Sequence, residues 1–444
     1  MRRFSFLSIF VFAMIMIASR LVWAEDDIPV LNSGDNAWIL MSSALVLLMT
    51  PGLAFFYGGM CSVKNVLNMM MMSLACMAII SVQWVFWGYS IAFGPDVGHF
   101  FGDLSLAGLH GITPDSLSGS IPEYTFVMFQ MTFAIITVAL ISGAAEGRMK
   151  FSTWLIFIPV WATLVYDPIC HWVWAEGGWA FNMGIMDYAG GTVVHINSAA
   201  AALALCIMLG KRKTNNIKPP CNMPMVMLGT GLLWFGWFGF NAGSTLVSGG
   251  STAFAFLITN TACATAAFTW MICEWIATGR PTLLGACSGA VAGLVVITPA
   301  CGFVGPLGAV QMGLMGGIGC FFGVTKLKQA FGYDDALDVV GVHGVGGTIG
   351  AFAVGLYSTP LVGADAGFFI GWDGAGIALL GKQCIGFLAA WGYSFGMTMI
   401  ILLVLKGIMG LRTSEEEENA GLDITLHKEM SYHLELESTG SSKE

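Results

Sequence analysis

The sequence predicts an all-α polytopic membrane protein: eleven transmembrane helices, built as an inverted five-helix repeat plus an eleventh helix. Three observations carry this reading. Of the 444 residues, 56% are hydrophobic and only 10% are charged, whereas soluble domains average about 25% charged. Eleven apolar runs reach the roughly 20 residues that a helix needs to cross the hydrocarbon core. Lys and Arg gather on one side of the path that these runs trace, as short cytoplasmic loops do.

The opening stretch, MRRFSFLSIFVFAMIMIASRLVWA, has Arg2 and Arg3, an apolar run, and small Ala24 with Val22 two positions earlier. It reads as a cleaved signal peptide over 1–24. The alternative, a genuine first helix, has to accommodate Arg20 near the end of the run. The transmembrane domain then occupies 25–409, with spans at approximately 36–61, 66–94, 124–146, 152–173, 188–210, 224–244, 251–277, 283–302, 306–328, 336–358 and 377–408.

Without Arg2, Arg3 and Arg20, 15 of the 18 basic residues remain. Lys64 follows the first span, Arg148 and Lys150 the third, Lys211, Arg212, Lys213 and Lys218 the fifth, Arg280 the seventh, and Lys326 and Lys328 the ninth. Lys406, Arg412, Lys428 and Lys443 close the chain, and only Lys382 departs from the pattern. Every odd span therefore ends on the basic side, which places the N-terminus outside and the C-terminus in the cytoplasm. An odd unit of five spans, repeated once, must invert, and such halves meet at a midplane site.

The net charge of −9 is concentrated in the tail, 410–444, where SEEEE stands at 414–418, so the membrane body is nearly uncharged. No basic stripe supports nucleic-acid binding, and the spans exclude a soluble enzyme. The 58 glycines include GACSGAVAG and GLMGGIGCFFG. These suit close helix packing and are not phosphate loops, because no strand precedes them and no GKS or GKT follows. The eleven cysteines show no metal-type CxxC spacing and read as small packing residues. No cofactor or metal is expected.

Two histidines fall inside apolar spans: His195 in DYAGGTVVHINSAAAAL, and His343 in DALDVVGVHGVGG. They lie in the fifth and tenth spans, which the repeat makes equivalent, and each follows an acidic residue, Asp187 and Asp338. An ionisable group in hydrocarbon costs several kcal/mol unless it is paired or lines a wet path. Separate hydrogen bonds to backbone carbonyls, or a metal site, are the alternatives to a functional pair. The metal reading lacks a third ligand at matching depth. A neutral imidazole pair can pass a proton while accepting a hydrogen bond from a small donor, which points to a substrate that gives up protons.

At these residues the chain resembles the Amt/Mep/Rh family of ammonium transporters, in its bacterial Amt branch. DYAGGTVVHINSAAAAL is similar to the family signature, and GLLWFGWFGFNAGS, LLGACSGAVAGLVVITPACG, DVVGVHGVGG and PGLAFFYGGM match further motifs in the family's order, from about residue 36 to the tail. The resemblance implies eleven helices around one pore per subunit in a homotrimer of the inner membrane. It also implies substrate recruitment by Trp174, Phe129 and Ser244, a pore gate of Phe133 and Phe240, and a twin-histidine pore of His195 and His343. Asp187 would be structural, and Trp237 would restrict rotation of the histidines. Read from the residues alone, Trp174 is equally a membrane-interface aromatic, and the phenylalanines and Trp237 are packing residues.

The tail over 410–429 resembles the family segment that contacts neighbouring subunits and the PII signalling protein, although its composition alone describes a solvated acidic segment. Glu176 departs from the glycine that many relatives carry beside the recruitment tryptophan. The expected function is ammonium transport: recruitment of NH4+ at an external aromatic site, deprotonation, and conduction of NH3 with a relayed proton. The alternatives are an ammonium sensor that signals through its tail and an electroneutral NH3/CO2 gas channel.

Overall fold

The computed structural model describes residues 30–213 and 219–432. The expected signal peptide at 1–24 lies outside these residues. Each of the eleven predicted spans has a helix. They are α1 (Ser33–Met60), α2 (Val66–Phe93), α3 (Glu123–Ala145), α4 (Phe151–Trp174, running through a π turn at Ala162–Tyr166), α5 (Gly191–Leu209) and α6 (Met223–Gly243). They continue with α7 (Gly250–Thr278), α8 (Leu283–Ile297), α9 (Pro306–Phe331), α10 (Val340–Tyr357) and α11 (Gly374–Ile408). Ten of these are long and apolar enough to cross a membrane, and α8 is the shorter one. Helices satisfy their own backbone groups, and in lipid no water is present to do so.

Polar side chains set the helix starts. Asn32 accepts from the Gly34 and Asp35 amides, Asn222 from Met225, Thr282 from Gly285, and Asp373 from Gly376. These oxygens satisfy amide donors that the first turn leaves orphaned. Two helix starts come later than the apolar runs predict. The run from 188 becomes helical at Gly191, and that from 336 at Val340, because an aspartate carboxylate takes the first amides in each case.

The two halves are inverted relative to each other. Arg212, just after α5, pairs with Asp334, just before α10, at 2.8 Å, so the end of one helix lies beside the start of the other. The repeat extends to fine detail. π turns interrupt α4 at Ala162–Tyr166 and α9 at Gly323–Leu327, and both histidines sit in π turns, Gly191–Ile196 in α5 and Val340–Gly344 in α10. Such turns recur at functional positions.

The glycine-rich segments do act in packing. A Cβ on Gly293 of α8 would lie 2.6 Å from the Ala262 carbonyl of α7, and one on Gly313 of α9 would lie 2.7 Å from the same oxygen. Three helices thus meet at one carbonyl, at a separation only glycine allows. All eleven cysteines are free.

Beyond α11 the chain turns back over the helix ends. Residues 415–420 form a short helix, α12 (Glu415–Ala420), behind a Ser414/Glu417 capping box. Asp423 Oδ1 accepts the Asn68 amide at 2.8 Å in the first turn of α2, and Asn65 Oδ1 accepts the Leu422 amide at 3.0 Å. The buried Glu418 carboxylate pairs with Arg412.

Candidate functional site

The core of the site is the contact between α5 and α10. His343 Nδ1 and His195 Nδ1 lie 3.3 Å apart, both rings buried, with centroids 5.2 Å apart and planes at 30°. Only one hydrogen fits between two facing nitrogens, so one ring donates its Nδ1–H and the other accepts. His195 Nε2 has no hydrogen-bond partner. The close approach depends on Gly347 of α10: a Cβ there would lie 3.0 Å from the Gly191 carbonyl and 3.2 Å from His195 Cβ.

The histidines border an apolar cavity whose lining includes Met49, Leu53, Leu140, Val194 and Leu233. Trp237 and Phe240, three residues apart on α6, cover His195. The Trp237 ring lies 5.4 Å from His195 at 25°, and that of Phe240 lies 6.0 Å away at 23°. The indole N–H of Trp237 donates to Thr298 Oγ1 at 2.9 Å, and the Thr298 hydroxyl donates in turn to the Leu294 carbonyl.

Phe240 stacks on Phe133 of α3, with centroids 4.2 Å apart and planes at 25°. Phe129, one turn earlier on α3, meets the edge of Phe133 at 4.9 Å, and Trp174 meets it at 5.8 Å and 86°. Trp174 is half-buried and donates its indole N–H to the Asp187 carbonyl at 2.9 Å, whereas Phe129 is buried. Ser244, one turn beyond Phe240, donates its hydroxyl to the Phe240 carbonyl at 2.8 Å. Its oxygen therefore faces other groups as an acceptor. Glu176 is exposed.

Asp187 is buried, and its carboxylate accepts four backbone amides: Gly190 and Gly191 on Oδ1, Thr192 and Val193 on Oδ2. Its counterpart in the second half is Asp335, not the Asp338 that the sequence pairs with it. Asp335 stands eight residues before His343, as Asp187 stands eight before His195, and its Oδ2 accepts the Val340 amide at 2.7 Å. Asp338, at φ 62°, instead pairs with Lys328 at 2.8 Å.

Sequence reasoning missed a polar cluster on the Asp335 face. Arg148 is fully buried, and its guanidinium donates to the carbonyls of Gly210, Ala144 and Asp334. Arg212 donates to both Asp334 oxygens and to Glu146. A signal that could have found it was the DD pair at 334–335, between an apolar span and the run that carries His343. Among the described residues, no group of three or more His, Cys, Asp and Glu is placed to hold a metal ion.

A polytopic helical fold with a buried imidazole pair beside an apolar cavity, next to stacked phenyl rings, defines a membrane transport protein for a small substrate. The profile of the Ammonium Transporter Family matches residues 37–432, and the chain belongs to that family. It is 48% identical to the ammonium transporter of Bacillus subtilis, over 90% of this chain and 99% of that one. The crystal structure of Candida albicans Mep2 superposes with a TM-score of 0.81 at 37% identity, covering 87% of this chain and 88% of that one. A structure titled Sensor Amt Protein also reaches a TM-score of 0.81, at 30% identity, covering 88% and 97%. Family and fold together make this a multi-pass membrane transporter rather than an enzyme, and the histidine pair and buried aromatic cluster support ammonium transport through a twin-histidine pore.

Proposed function

We propose that the protein recruits NH4+ at the Trp174 end of the lumen, deprotonates it, and conducts NH3 and a relayed proton past His195 and His343. Trp174 and Phe129 offer aromatic faces, over which a cation gains about 0.5 to 2 kcal/mol, and Ser244 offers an acceptor for one N–H. Phe133 and Phe240 close the path below. An apolar constriction is far costlier for a bare cation than for neutral ammonia. Potassium cannot deprotonate, so it is refused. Asp187 shapes the entry as a helix cap, and Trp237 holds the His195 ring.

The observation that carries this reading is the Nδ1–Nδ1 contact of 3.3 Å between two buried imidazoles in an apolar lumen. The pair can accept a hydrogen bond from ammonia and exchange its own shared proton. In this reading the protein is a homotrimer of the inner, or plasma, membrane. Residues 1–24 are a cleaved signal peptide, the N-terminus is outside, and the tail over 410–444 is cytoplasmic, where a PII protein could dock.

The test is current from liposome-reconstituted protein on a solid-supported membrane, pulsed with ammonium and, as control, potassium. A saturable ammonium current without a potassium current is expected, reduced or made unselective in His195→Ala and His343→Ala. Undiminished rate and unchanged potassium exclusion in those variants would remove the histidine role. One observation favours a second reading, signalling through the tail: the likeness to the structure titled Sensor Amt Protein. Ammonium-dependent PII binding without ammonium flux would establish that role instead.

A further inference from the structure

The two histidine helices begin at aspartates in the same register, yet the aspartates are used differently. Asp187 has both oxygens saturated by four amides. Asp335 is equally buried, but its Oδ1 has no hydrogen-bond partner. The neighbouring Tyr333 hydroxyl also has none. A buried carboxylate oxygen without a donor is costly unless the group carries a proton. Repeat symmetry supplied two helix caps, and one of them retains a free oxygen.

Asp335 lies near a side chain that touches the cavity wall. Tyr57 of α1 donates its hydroxyl to the carbonyl of Leu140, which lines the cavity beside the histidines, and it lies within electrostatic reach of Asp335. We propose that Asp335 is the acid that returns the proton: Oδ1–H protonates ammonia that has passed His343, so the substrate leaves on this face as ammonium. The proposal rests on the transport reading above. The Oδ1–H bond breaks as the nitrogen lone pair forms a new N–H bond, leaving a carboxylate. The proton released above the histidines then restores the acid. No electrons are exchanged, and the transfer is downhill because ammonium is a far weaker acid than a carboxylic acid.

The surroundings suit a proton carrier. Asp338 and Lys328, paired with each other, face Asp335 from its own loop and from α9, with Tyr333 beside them, Cys206 from α5 and Tyr57 from α1. The nearby Arg148 and Arg212 are both engaged by Asp334. Burial first, then the charge of Asp338, pushes the Asp335 carboxyl up to about 6, against the pull of Lys328 and the backbone amides. A group in that range both takes up and releases protons near neutral pH.

Asp335→Asn keeps an oxygen for the Val340 amide but cannot release a proton, and Asp335→Glu keeps the acid. In liposomes on a solid-supported membrane, Asp335→Asn should lower the ammonium-evoked current roughly 10-fold or more and abolish a pH dependence centred near 6. Asp335→Glu should restore both. If wild type conducts and Asp335→Asn keeps its current and pH profile, the proposal is overturned and the transport reading stands. If inserted wild type gives no current, both fall. Should Asp335→Asn fail to insert, infrared difference spectra of wild type decide: a carboxylic C=O band titrating near 6, and shifted in Asp335→Glu, supports the proposal, and its absence overturns it.

Discussion

The indole of Trp237 lies nearly parallel to the His195 ring at 5.4 Å, and its N–H is held by Thr298. If Trp237 restrains that imidazole, the hydroxyl of Thr298 acts on it through one aromatic side chain. Thr298→Val removes the acceptor while keeping the shape. A buried N–H left without a partner costs about 1–3 kcal/mol. We expect a lower thermal midpoint in detergent and a several-fold lower ammonium current, both rescued by Thr298→Ser. An unchanged current would mean that the Trp237 ring does not need this anchor.

The stacked rings of Phe133 and Phe240 make a different prediction. If they exclude cations, the double substitution Phe133→Ala/Phe240→Ala should admit potassium, seen as a potassium-evoked current that wild type lacks. Phe240→Ala also uncovers His195, which that ring faces at 6.0 Å. Phe133→Ala alone leaves that contact intact. Comparing the two single variants separates gating from support of the histidine. Potassium exclusion surviving in the double variant would place selectivity in the histidine region instead.

Much of this arrangement was legible in the sequence, for identifiable reasons. Apolar run length located all eleven helices, and the intramembrane histidines stood out because imidazole is rare in lipid-facing sequence. The starts of α5 and α10 were not legible. Asp187 and Asp335 pull the first amides out of the helix, which an apolar run cannot register. The π turns around His195 and His343 were equally hidden, since helices apolar on every side show no periodicity to interrupt. Arg148 and Arg212 read as loop charges, and Asp334 drew no reading, because their pairing joins segments far apart in the chain.

That cluster carries its own prediction. Burial pushes the Asp334 carboxyl up, but the hydrogen bonds and charges of Arg212 and Arg148 outweigh it and hold the group below the ordinary value of 3.8. A depressed carboxyl contributes stability above its unfolded value, and this is lost as pH falls through the folded one. Wild type should therefore lose thermal stability as pH falls below about 4. Asp334→Asn should lower the midpoint at neutral pH, because Arg148 stays fully buried without its counter-charge, a loss of about 3–5 kcal/mol for a broken buried pair. Its acid sensitivity should be weaker than that of wild type. Equal acid profiles in the two proteins would show that other carboxylates set the acid limit.

The C-terminal segment is fastened to the helix ends through Asp423, which is buried and accepts the Asn68 amide at the start of α2. The same segment is held by Asn65 on the Leu422 amide and by Lys64 on the carbonyls of Glu418 and Asn419. Asp423→Ala removes the cap and leaves the α2 amides to compete for other acceptors, a loss of about 0.5–2 kcal/mol. That is enough to loosen the segment. Limited proteolysis should cut between 413 and 432 faster in Asp423→Ala, with the helical core intact on the gel. If a PII protein recognises the docked segment, the same variant should bind it more weakly while the ammonium current of the isolated protein changes little. Faster cleavage with unchanged PII binding would mean that the partner reads the loops between helices, not the segment that Asp423 holds in place.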